Sequence, residues 1–108
     1  MVEYATQLDA IFGSLADPTR RDILTRVARV ERPISDLAEK YDLSFAAVAK
    51  HLKVLEDAQL IVKRKEGRNQ MVSLAPSALK SADEYLEQYR SMWQGRINKL
   101  EALLDSKD

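Results

Sequence analysis

A chain of 108 residues is about one domain, and 45% hydrophobic with 31% charged residues is an ordinary globular balance. Its 17 basic and 17 acidic residues cancel, which excludes a globally basic nucleic-acid binder and leaves local asymmetry as the only electrostatic clue. The absence of cysteine excludes disulfides, thiolate metal sites and a cysteine nucleophile, and an acidic N-terminus with no apolar run of about 18 residues points to a cytoplasmic protein without a membrane span.

Leu8, Ile11, Phe12 and Leu15 follow helical spacing and predict a first amphipathic helix over about residues 4–16. Asp17 can then accept from free first-turn amides, and Pro18 stands where its missing N–H is harmless. The second helix they open buries Ile23, Leu24 and Val27. After a break at Glu31–Pro33, Ile34 is expected in a short strand, with Ser35 and Asp36 capping a brief third helix that ends at Tyr41. Ser44 is the expected cap of a fourth helix running to about Ala58. The segment "LIVKRKEGRNQMVSL" reads as two β-rich runs around Gly67, a hairpin. A long last helix, about residues 77–104, starts at Pro76 or Ser77, with Ser81 and Glu84 as a competing capping box.

Two segments carry the chemistry. On an ideal helix Val48, Leu52 and Leu55 share the buried side of the fourth helix, Ala46, Lys50, Lys53 and Asp57 lie opposite, and Ala47 and Ala49 flank them. Methyl groups there permit close approach to base edges in a major groove, and the lysines can reach phosphates or guanine acceptors. The hairpin supplies the missing charge: Lys63, Arg64, Lys65 and Arg68 against Glu66 give +3 over residues 60–70. His51 is a boundary residue that either touches a phosphate or packs, and Phe45 is expected at the edge of the core rather than as a wedge in a groove. Arg20 and Arg21 either reach a DNA backbone or are simply solvated.

The last helix repeats Leu79, Ala82, Leu86, Tyr89, Trp93, Leu100 and Leu103 at spacings of three and four, interrupted only by Arg96. Such a seam outlasts the core of a small domain, so a homodimer is expected. Tyr85, Tyr89, Met92 and Trp93 also fit a ligand pocket, but packing in the seam explains them more simply. No phosphate-binding glycine loop, apolar-set acid pair or Ser/His/Asp arrangement is present, so the chain is read as no enzyme and no cofactor is expected. The competing class is a protein-interaction module in which the charge of the hairpin is incidental.

Short helix, tight turn, longer helix, then basic hairpin is the order of a winged helix-turn-helix, a mainly α fold with a small β-hairpin (α+β). The segments "IFGSLADPTRRDIL", "ISDLAEKYDLS", "AVAKHLKVLEDAQLI" and the Gly67-Arg68 hairpin resemble the ArsR/SmtB family of bacterial transcriptional repressors over about residues 8–75. The resemblance implies one winged-helix domain over residues 1–108 that binds a double-stranded operator and dimerises through its first and last helices. It places the reading helix at Ser44 and from Phe45 to His51 and makes the hairpin the wing, so with the lysine face the candidate DNA contacts are Ser44, Phe45, Ala46, Ala47, Ala49, Lys50, His51 and Lys53 on the helix and Lys63, Arg64, Lys65, Arg68 and Asn69 on the wing. The dimer face then involves Leu8, Ile11, Phe12, Leu86, Tyr89, Trp93, Leu100 and Leu103. Departures from the family are informative. Cysteine and histidine ligands of its metal sensors have no counterpart here, so no metal site is expected and any effector is unspecified. Phe45 and Ala49 stand where polar base-reading residues are common, and Gln59 replaces a usual glycine after the fourth helix.

Overall fold

The computed structural model describes the backbone of residues 2–106 and the side chains of residues 6–106; Met1, Lys107 and Asp108, inside the expected domain of residues 1–108, lie outside the described residues. In chain order the elements are α1 (Val2–Leu15), α2 (Pro18–Arg29), β1 (Arg32–Pro33), α3 (Ile34–Tyr41), α4 (Phe45–Asp57), β2 (Ile61–Glu66), β3 (Asn69–Leu74) and α5 (Pro76–Asp105).

Local chemistry sets the helix starts. The Asp17 carboxylate accepts from the Arg20 amide at 3.0 Å and Pro18 occupies the first turn of α2. That backbone hydrogen bond is the main reason the Asp17 carboxyl is held below its usual range. Ser44 Oγ accepts from the Ala47 amide at 3.1 Å and opens α4. The end of α1 has no basic residue of its own, yet its last carbonyls are served from α2. Arg20 Nε donates to the Ser14 carbonyl at 2.7 Å, and Arg21 Nη1 donates to the Leu15 carbonyl at 2.7 Å. Both arginines, expected to be solvated or on a DNA backbone, instead satisfy orphan acceptors at a helix C-terminus, where positive charge is favoured.

Two expectations about the third helix are corrected. The short strand is Arg32–Pro33 and not Ile34, which is buried as the first residue of α3. Ser35 and Asp36 lie within the first turn, and the residue before the helix, Pro33, makes no side-chain capping bond. The α3–α4 turn closes on Asp42, at φ 52, with the Leu43 amide bonded to the Ala38 carbonyl at 3.3 Å. A side-chain cluster ties α3 to α2: the Tyr41 hydroxyl donates to Asp22 Oδ2, and Arg26 Nε donates to the same oxygen at 2.8 Å and to Tyr41 Oη at 3.1 Å. Burial, and then the Asp22 bond, pushes the Tyr41 hydroxyl up to about 12.

The sheet is antiparallel in the order β1-β3-β2, with Arg32 opposite Val72 and Ile61 opposite Leu74. Gly67 is first in the two-residue connection of the hairpin, at φ +62, a conformation glycine takes without strain. The core gathers Ile11, Ile23, Leu24, Val27, Leu37, Val48, Leu52, Leu55, Leu60, Ile61 and Val72 beneath α2, α3, α4 and the base of the hairpin. α5 starts at Pro76, not at the competing Ser81, whose hydroxyl donates back to the Ser77 carbonyl at 3.3 Å. Only Ala78 and Ala82 of α5 are buried. From Leu86 onward this 30-residue helix is exposed along its whole length and gives the molecule principal extents of 67 × 35 × 20 Å.

Candidate nucleic-acid interface

Val48, Leu52 and Leu55 are fully buried, which turns the opposite side of α4 outward. Ser44, Phe45, Ala46, Lys50 and Lys53 are exposed there, and Ala47 and Ala49 are partly covered at the flanks. This is the face that helical geometry predicts. His51, expected either on a phosphate or in packing, has a side chain 24% exposed, with Nδ1 3.4 Å from Arg20 Nη1 and 3.9 Å from Asp17 Oδ2 at the start of α2. Phe45, expected at the core edge, is 60% exposed, because the core residues of α4 begin only at Val48 and the ring at the first helical position projects past them.

Beside the ring is a cleft of about 400 Å³, lined by Pro33, Ile34 and Ser35 at the start of α3, by Phe45, and by Lys65, Arg68, Asn69 and Gln70 of the hairpin. The base and the tip of the hairpin differ in electrostatic freedom. Lys63 Nζ lies 3.3 Å from Glu56 of α4, with a side chain only 16% exposed. Arg64 forms a two-pronged bond to Glu31, with Nε 2.9 Å from Oε2, and its Nη2 is 2.9 Å from Glu66. These acids raise the Arg64 guanidinium's affinity for its proton, Glu31 foremost. Lys63 and Arg64, expected as DNA contacts of the wing, are thus also engaged with the fold itself. Lys50, Lys65 and Arg68 form no ion pair among the described residues, whereas Lys53 pairs with Asp57 at 2.8 Å, an exposed contact of little energetic weight. Glu31 and Glu56, the acids that anchor the hairpin, escaped sequence reasoning: Glu31 is 33 residues from Arg64, and only the β1–β3 pairing brings them together.

The second candidate surface divides at Ala82. Leu8 and Ile11 were expected on a dimer face but are 7% and 0% exposed, built into the protomer's own core, where α1 crosses α4 and α5. Phe12 remains partly open and packs on Tyr85, with ring centroids 6.0 Å apart, while Tyr85 lies 5.3 Å from Tyr89. Leu79 and Ala82 belong to the core margin, but Leu86, Tyr89, Trp93, Leu100 and Leu103 are all 43–65% exposed. Met92, Ile97 and Leu104 extend the same apolar surface. At the interruption of the stripe, the Arg96 guanidinium sits 5.9 Å from the Trp93 ring centre.

Among the described residues no group of three or more His, Asp or Glu side chains is placed to hold a metal ion, and no helix is long and apolar enough to cross a membrane.

Comparison with known proteins supplies the context. A family model for a helix-turn-helix domain matches residues 15–64. The HTH-type transcriptional regulator Rv2034 of Mycobacterium tuberculosis is 32% identical over 99 residues, covering 92% of this chain and 90% of its own length. A transcriptional repressor SmtB homolog of Synechocystis is 36% identical over 74 residues, 68% of this chain and 56% of that protein. The crystal structure of an ArsR family transcriptional regulator superposes with a TM-score of 0.77 at 32% identity, over 83% of this chain and 93% of that one.

Proposed function

We propose, because this chain belongs to the ArsR/SmtB family of winged helix-turn-helix DNA-binding transcriptional regulators, that it acts as a homodimeric repressor on a pseudo-palindromic operator, its own promoter included. Each protomer lays the outer face of α4 in the major groove of one half-site and sets the hairpin against the adjacent backbone. One observation carries this reading: Phe45, at the start of the exposed face of α4 that also holds Ala46 and Lys50, lines one cleft with the two hairpin cations that form no ion pair, Lys65 and Arg68. Small side chains let the helix approach, and the cations neutralise phosphates as it does so. Lys53, Ser44 and Asn69 join as supporting contacts, while Lys63, Arg64 and His51 act indirectly, by holding the hairpin and the reading helix in place.

The apolar surface of α5 from Leu86 to Leu104, with Phe12 beside it, supplies the dimer face. Fixed two-fold geometry then sets the two reading helices about one turn of duplex apart. Release from the operator follows from an effector of unspecified chemistry or from dilution of the dimer. Residence in the cytoplasm follows from the place of action.

A salt-titrated binding assay on duplex from the protein's own upstream region tests the reading. Affinity should fall steeply with salt, roughly tenfold or more between about 50 and 200 mM for even a few phosphate contacts. A flat response would sink it and favour the protein-interaction module instead.

A further inference from the structure

The reading helix of this chain opens on a phenyl ring. Phe45 is the first residue of α4 and is 60% exposed, although the buried Ile34 lines the same cleft. Side chains on a helix tilt toward its N-terminus, so the ring reaches beyond the methyl groups of Ala46 and Ala49 and leads the helix into the groove. The cleft beside it is lined by Pro33 and Ile34 at the start of α3 and by Lys65, Arg68 and Asn69 of the hairpin. The result is an apolar tip beside two uncompensated cations, at the point where a helix-turn-helix meets base edges.

A phenyl ring has no hydrogen-bonding group with which to read a purine or a cytosine. The major groove offers one apolar feature, the C5-methyl of thymine, and phenylalanine is among the side chains that contact it. Insertion of a ring between base steps belongs to proteins that enter the minor groove, which α4 does not do in the reading above. We infer that Phe45 determines specificity at one position of each half-site by packing against a thymine methyl, with Lys65 and Arg68 on neighbouring phosphates. This assignment rests on the operator-binding reading and adds a base identity to it.

The test uses the full chain and a duplex selected from a randomised pool. Each thymine is replaced in turn by deoxyuracil, which removes a methyl and changes no hydrogen-bonding edge. Wild-type protein should lose about fourfold in affinity at one thymine in each half-site, the effect of one buried methyl-sized group. Phe45→Ala should bind the unmodified duplex more weakly and be indifferent to uracil at those positions, while Phe45→Leu should keep part of the sensitivity. Because the ring is exposed, both variants should melt with the wild type; if Phe45→Ala does not, Phe45→Leu decides, by a uracil effect that shrinks relative to wild type. A selected duplex on which no uracil separates wild type from variant overturns this inference alone. Failure to select any duplex overturns it together with the regulator reading.

Discussion

Gln59 shows how one residue records a conflict between a turn and its sequence. It follows α4 at φ 61, in the left-handed region where a Cβ is strained, and its amide bonds back to the Glu56 carbonyl at 2.9 Å. The Gln59 side chain accepts from Gln7 at 3.3 Å, an exposed bond that offsets little of the strain. Gln59→Gly should therefore stabilise the fold by about 1 kcal/mol, net of the extra freedom glycine gives the unfolded chain; thermal denaturation would register this as a rise of several degrees in Tm, and an unchanged or lower Tm would contradict it. This position was legible in the sequence because a glycine is the expected residue there. Phe45 was not. An ideal helical wheel puts it near the apolar edge, but at a first helical position what covers a ring is decided by the neighbouring elements, α3 and the hairpin, which no local pattern reports.

Among the elements, the hairpin departs most from its simple reading. Counting charges gives a uniformly basic arm, yet Lys63 and Arg64 are neutralised by Glu56, Glu31 and Glu66, so only the Lys65 and Arg68 end is free to release counterions from a phosphate backbone. The base and the tip should respond differently to mutation. Lys65→Ala or Arg68→Ala should weaken operator binding and lower the slope of log affinity against log salt by about one for each phosphate no longer neutralised, about two for a dimer. Lys63→Ala should leave that slope nearly unchanged while loosening the junction of hairpin and α4. Equal slopes for all three variants would show that the ion pairs open on DNA and that the whole hairpin behaves as one cationic surface. The hairpin itself was plain from alternation around Gly67. β1 was not, since a strand of two residues has no periodicity, and with it the partnership of Glu31 and Arg64 was hidden.

At the scale of the molecule, the question is which apolar residues build the protomer and which remain for a partner. Helical spacing marks both sets identically, which is why Leu8 and Ile11 were expected at an interface and found in the core. Chain length was the better guide, because a small domain cannot cover a stripe that continues to Leu103. Trp93→Glu, placed in the exposed stretch and far from the core, should convert the protein to a monomer in sedimentation analysis while leaving the helical signal of the protomer intact; a variant that stays dimeric would move the interface elsewhere. In the proposed dimer the consequence of α5 is mechanical. Rooted in the body by Ala78 and Ala82, packed on Phe12 at Tyr85 and exposed from Leu86 onward, it works as a caliper whose setting is stored some distance from any base pair. Each residue added between root and grip would turn the jaws by about 100°, out of phase with the duplex. The letters of the operator and the gap between its halves are therefore held in separate parts of the chain, and each is open to change without rewriting the other.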